Sequence, residues 1–221
     1  MKPPGDTAPP SGQGEKPALS VMLVTVTYGA LLAAALVWGW LRGDMNIFAL
    51  KSHHALLKFD LPGGETLNMA LSLFTALGCG IAGGLVVVWL SRVAVKHLES
   101  FRKMQDAFAS MLGVMSGTQV FVAAAASAVA EEALFRGVMM ESWGIWISSA
   151  VFGLLHAPAD RRMVYWPLLA FFMGLGFGGL ALVFGNILAP IAAHFTINLL
   201  NLRKISTHAR TIKQNSEKDS E

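Results

Sequence analysis

From Ala18 to Leu41 about 24 residues pass without a charged side chain, and Leu67 to Ser91 repeats the pattern over a similar length. Roughly 20 apolar residues suffice for a helix to cross the ~30 Å hydrocarbon core of a bilayer. In lipid, only helices and closed barrels satisfy their own backbone hydrogen bonds. Two such runs, in a chain that is 54% hydrophobic and only 14% charged, predict an all-α, polytopic transmembrane helix bundle. The net charge of +3 does not point to nucleic acid, because the basic residues cluster beside the apolar runs, where they set membrane orientation. The lipid bilayer is the expected partner, and nucleic acid is not. The one cysteine, Cys79, supplies neither a disulfide framework nor a Cys-based zinc site and reads as a small packing residue.

Residues 1–17 hold five of the nine prolines and little that is apolar, so they read as a disordered tail. Residues 18–112 hold two transmembrane helices, the first ending in the interface anchors Trp38 and Trp40. A polar loop from Arg42 to Thr66 separates them, and a basic amphipathic linker from Arg92 to Gln105 follows. His53 and His54 in the loop lack a third ligand and read as solvated. Gly80-x-x-x-Gly84 predicts close helix contact. Residues 113–202 hold about four more helices: a long one from about Gly113 to Glu141, a shorter one from Trp143 to His156, a fifth from Met163 to Phe184 and a sixth from Ile187 to about Leu202. A polar link, Ala157 to Arg162, and a tight turn at Gly185-Asn186 join them. Residues 203–221 are expected to form a polar, disordered tail. About six spans put both termini on one side, and the excess of Lys and Arg in the tails, linker and short link places that side in the cytoplasm of a cell (inner) membrane.

Ionisable residues inside apolar spans are functional candidates by default. Glu131, Glu132 and Arg136 interrupt a run of Ala, Val, Leu and Phe. Glu132 and Arg136, Phe152 and His156, and His194 and Asn198 are each four apart, so each pair shares a helix face. Arg136 can neutralise Glu132 and leave Glu131, about 100° further round the helix, free for chemistry. If the third and fourth helices turn back near Trp143, Glu131 stands 12 residues before the turn and His156 13 after it. Both then lie roughly 18 to 20 Å from the turn, level with His194 and Asn198 at roughly 12 and 18 Å from Gly185-Asn186.

These segments, E-E-A-L-F-R (Glu131 to Arg136), F-G-L-L-H (Phe152 to His156) and H-F-T-I-N (His194 to Asn198), resemble the EExxxR, FxxxH and HxxxN motifs of the CPBP family. That family of intramembrane proteases includes the type II CAAX prenyl endopeptidases and the bacterial Abi proteins. The resemblance runs from about Val120 to Leu202 and takes in Ser148-Ser149-Ala150, Gly174 to Gly179 and Asn186 to Pro190. It implies an endopeptidase that hydrolyses a peptide bond of a membrane-embedded or membrane-associated peptide or protein. Glu131 would be the general base that with His156 activates a water, His194 and Asn198 would stabilise the oxyanion, and Arg136 would pair with Glu132 to hold the site. Glu131, His156 and His194 could instead hold a zinc ion. The metal-free route, which needs no cofactor, is preferred because Asn198 is a poor zinc ligand and a good oxyanion donor.

Competing motifs fail. There is no H-E-x-x-H and no G-x-G-D, and Gly113 to Gly117 misses the rhomboid G-x-S-G by one residue, so Ser116 reads as a helix-end residue. The alternative class is a non-catalytic membrane scaffold or immunity-type protein that binds a membrane partner. A purely structural polar cluster and a proton-coupled transporter are further readings, which the three ordered motifs outweigh.

Overall fold

The computed structural model describes residues 20–44, 46–50, 55–57, 59, 64–157 and 160–219. The expected N-terminal tail and the pair His53 and His54 lie outside the described residues. Regular structure among those described is helical: α1 (Val21–Leu41), α2 (Gly64–His97), α3 (Glu99–Leu112), α4 (Gly117–Glu132), a π-helical turn (Ala133–Met139), α5 (Met140–Leu155), a 3₁₀ turn (Arg161–Met163), α6 (Trp166–Phe184) and α7 (Leu188–Lys218). The bundle is all-α, and the chain is a membrane protein.

Four segments are long and apolar enough to cross a bilayer: Val21–Leu41, Gly64–His97, Gly117–Leu155 and Arg161–Phe184. The third is folded in two. Gly144 takes φ 80° and ψ 167°, a conformation that a Cβ would strain, and the chain reverses beside Trp143 as the sequence predicts. The arm after it, residues 145–155, is only about 16 Å long, roughly half the depth of the hydrocarbon core. Counting this folded segment as two helices and adding α7 gives six helices where the sequence predicts about six spans, but the short arm reaches only part of the way across. α7 is missing from the four because His194, Asn198, Asn201 and Arg203 dilute its apolar character.

α7 is the axis of the bundle and packs on α2, α4, α6 and α3. The expected Gly80-x-x-x-Gly84 contact is what lets α2 lie against it. A Cβ at Gly84 would stand 2.8 Å from the carbonyl oxygen of Ala193, and one at Gly80 would run into that of Ala189. The turn before α7 is held from outside: Leu50 N–H donates to Gly185 O at 2.9 Å and Ile187 N–H to Phe48 O at 3.0 Å.

Two expectations are corrected. The chain from Arg203 to Lys218 is helix, not a disordered tail. No Gly or Pro follows Pro190 to stop α7, and Ser206 clamps the α3–α4 junction, accepting from Met115 N–H at 2.8 Å and donating to Met115 O at 3.0 Å. Cys79 is exposed rather than packed, because the buried positions of α2, Ala76, Gly80, Gly84 and Val88, recur every fourth residue and leave Cys79 on the outer face.

Candidate active site

α4 carries the acidic residues, and its start is fixed locally. Ser116 accepts from Gln119 N–H at 3.2 Å while Gln119 Oε1 accepts from Ser116 N–H at 2.7 Å, a reciprocal cap that makes Ser116 the helix-end residue expected. Past Glu132 the helix widens into the π turn, for which the sequence gives no sign. Such turns misalign backbone carbonyls and recur at functional sites. Here outside donors satisfy them: Ser148 Oγ bonds Phe135 O at 2.6 Å and Arg42 Nη1 bonds Val138 O at 2.9 Å.

Glu132 and Arg136 are 0% and 1% exposed, so their charges must be met inside the protein. Arg136 Nη1 donates to Glu132 Oε1 at 3.1 Å and Nη2 to Gly174 O at 3.2 Å. The guanidinium also lies 4.5 Å over the Phe152 ring, a cation–π contact. The same Glu132 Oε1 accepts from His194 Nδ1 at 2.8 Å, while the His194 ring stacks on Phe177 at 5.0 Å. Glu132 therefore holds two partners, one more than the sequence assigns it.

His156 is the C-cap of α5, where the last carbonyls lack intrahelical donors. Its Nδ1 lies 2.7 Å from Phe152 O. A carbonyl and a carboxylate only accept, so His156 and His194 both carry a proton on Nδ1. Their Nε2 atoms face Glu131 Oε2, at 4.0 Å for His156 and 3.8 Å for His194. These are too long for direct hydrogen bonds, and Glu131 Oε2 has no partner among the described residues. In the neutral tautomers two imidazole lone pairs thus face the carboxylate oxygen across these gaps, and a water, with two O–H donors, can bridge two of the three acceptors.

The same donor types could ligate zinc, with Glu132 and Phe152 O as the outer partners such histidines need. Ligands sharing a tetrahedral zinc at about 2.0–2.1 Å stand about 3.4 Å apart, whereas acceptors sharing one water at about 2.8 Å stand about 4.5 Å apart. The observed pairs fall between. As placed, no three His, Cys, Asp or Glu side chains among the described residues make a metal-ligand set, so the chemistry fits zinc but the spacing does not close on it.

Asn198, the fourth residue expected at this depth, lies one turn further along α7 and donates through Nδ2 to Ser127 Oγ at 2.9 Å. It is adjacent to the cluster rather than inside it. A cavity of about 690 Å³ between α3 and the α5–α6 link reaches His156, with Phe108, Met111, Leu155, Arg161 and Trp166 in its walls. In its wall Arg162 clamps Asp160 at 2.7 Å, and this partner holds the Asp160 carboxyl below its usual range.

Two residues near the cluster escape sequence reasoning. Tyr28 on α1 lies close enough to Glu131 for their charges to interact; it is separated by 103 positions and no local pattern links them. Ser127 is legible only in hindsight, as the polar residue one turn before Glu131 in a run of alanines.

The family described as type II CAAX prenyl endopeptidase Rce1-like matches residues 114–200 of this chain. Among curated proteins, an uncharacterized protein, YpbD, of Bacillus subtilis (strain 168) is 38% identical over 74 residues, 32% of this chain and 37% of that protein. The chain thus spans little more than a third of the length of this relative. No solved structure matches it.

Proposed function

We propose that residues 114–200, which match the type II CAAX prenyl endopeptidase Rce1-like family, are the catalytic core of an intramembrane endopeptidase acting on a membrane-associated peptide or protein. The observation that carries this reading is the approach of the Nε2 atoms of His156 and His194 to Glu131 Oε2, at 4.0 and 3.8 Å, beside a cavity that reaches His156. Glu131 takes a proton from a water oriented by His156, and the hydroxide attacks the scissile carbonyl. The proton then passes to the leaving amine as the tetrahedral intermediate collapses. Asn198 donates to the oxyanion. His194 does so only as an imidazolium, because its Nδ1–H is committed to Glu132. Arg136 offsets the charge of Glu132 and keeps His194 oriented through it. Zinc, if held by Glu131, His156 and His194, would polarise the same water; the metal-free route is preferred because Asn198 suits an oxyanion donor better than a zinc ligand.

The test is cleavage in membranes. Glu131→Gln and His156→Ala are each expected to lower the turnover of membrane peptides by at least about 100-fold, read by labelling new N-termini in membranes from cells that express wild type or variant. Retained cleavage in either folded, inserted variant refutes the mechanism. Full activity in metal-free protein after chelation would remove the zinc route.

A further inference from the structure

We propose that Ser127 is a positioning residue that fixes the side-chain amide of Asn198 so that one N–H stays directed at the oxyanion. The inference rests on the reading of Asn198 as an oxyanion donor. α4 and α7 run antiparallel and meet in two rungs one helical turn apart: Glu131 with His194 at 3.8 Å, and Ser127 with Asn198 at 2.9 Å. Ser127 and Glu131 are four apart on one helix and His194 and Asn198 four apart on the other, so each rung sits on the face of the next.

Ser127 is 3% exposed, and its hydroxyl proton is committed to Ala124 O at 3.2 Å. While it donates there, its lone pairs accept. A primary amide offers either an oxygen or an NH₂ to such a partner, and only the NH₂ bonds; turning Asn198 over would set Oδ1 against a lone pair or cost Ser127 its bond to Ala124 O. Ser127 thereby selects one of the two amide orientations. Asn198 makes no second hydrogen bond among the described residues, which leaves the other N–H of Nδ2 for a substrate. Preorganised donors of this kind act because they need no reorganisation when charge develops. An amide free to flip would present oxygen to the oxyanion part of the time.

Variants of the whole chain, reconstituted in lipid vesicles with a membrane peptide that wild type cleaves, test this. Asn198→Ala is expected to lower kcat about 100-fold. Ser127→Ala should lower kcat about threefold to tenfold, the worth of one hydrogen bond, with KM unchanged. Ser127→Thr, which keeps the hydroxyl, should restore kcat to within about twofold. In the double variant, Ser127→Ala should add nothing to Asn198→Ala, because the two act as one unit. Wild-type kcat in Asn198→Ala would refute the underlying reading of Asn198. A full loss there, with wild-type kcat in Ser127→Ala or a multiplicative effect in the double variant, overturns this inference alone. If Ser127→Ala fails to insert, kcat in Ser127→Thr and Ser127→Cys decides: a cysteine, the weaker hydrogen-bonding group, must fall below threonine, and equal rates overturn the proposal.

Discussion

Two carboxylate–guanidinium pairs in this protein invert what their distances suggest. Asp160 and Arg162, in the cavity wall, approach to 2.7 Å with side chains 36% and 45% exposed; Glu132 and Arg136, inside the bundle, stand 3.1 Å apart at 0% and 1%. The closer pair matters less. Water screens exposed charges and hydrates them nearly as well when they separate, whereas either buried charge without its partner has nowhere to go. The outer pair closes a local turn two residues long. The inner pair ties the π turn to α6 through Gly174 O and to α7 through His194, so it holds the relative placement of three helices. Burial, not geometry, sets what a charge pair is worth here.

The largest effect should come from Arg136→Ala. It strands Glu132, and the expected loss is about 3–5 kcal/mol, read as a lowered unfolding midpoint in detergent; a loss comparable to that of an exposed pair would break the comparison. Arg136→Lys separates charge from shape. A lysine restores the positive charge but not the fork that reaches both Glu132 and Gly174 O, and a loss of about 1–3 kcal/mol is expected in the same measurement. Stability equal to wild type would show that charge alone holds the site. At the other end, Asp160→Asn should move the melting temperature by no more than about 2 °C.

A pH titration of stability sharpens the same contrast. The Asp160 and Glu99 carboxyls are both held below the usual range, by Arg162 and Lys103 respectively. A lowered native value means that the stabilisation is fully present above the ordinary carboxylate value and is lost only as pH falls through the native one. The contribution of these outer pairs should therefore stay flat from neutrality down to about pH 5 and fade below it. A loss with its midpoint above about pH 6 that Asp160→Asn and Glu99→Gln abolish would contradict this.

Much of this was legible in order along the chain. The turn at Gly144 follows from a break in an apolar run, and the close approach of α2 to a neighbouring helix, though not which one, from Gly80 and Gly84. The pairing of Glu132 with Arg136 is an i,i+4 relation, local enough to survive the π turn that begins between them. Illegible were the relations that cross between helices. Nothing in the spacing tells that His194 bonds Glu132 through Nδ1 and turns Nε2 to Glu131, or that Asn198 finds Ser127. The exposure of Cys79 and the helical extension from Arg203 were missed because each depends on which face meets a neighbour.

By itself, the sequence determined that the chain enters a bilayer as helices, where those helices turn, and which polar residues are carried into the apolar half. Those properties follow from hydropathy over about 20 residues and from a repeat of 3.6, both local quantities. The tertiary structure decided which nitrogen of each histidine faces Glu131, that Glu132 serves Arg136 and His194 together, and that Glu131 Oε2 has no hydrogen-bond partner among the described residues. The reason is physical: hydrogen-bond roles depend on contacts 62 or 71 positions apart. A π turn also shifts the phase of everything after it by up to about 100°, so the faces that meet are fixed only when α7 packs.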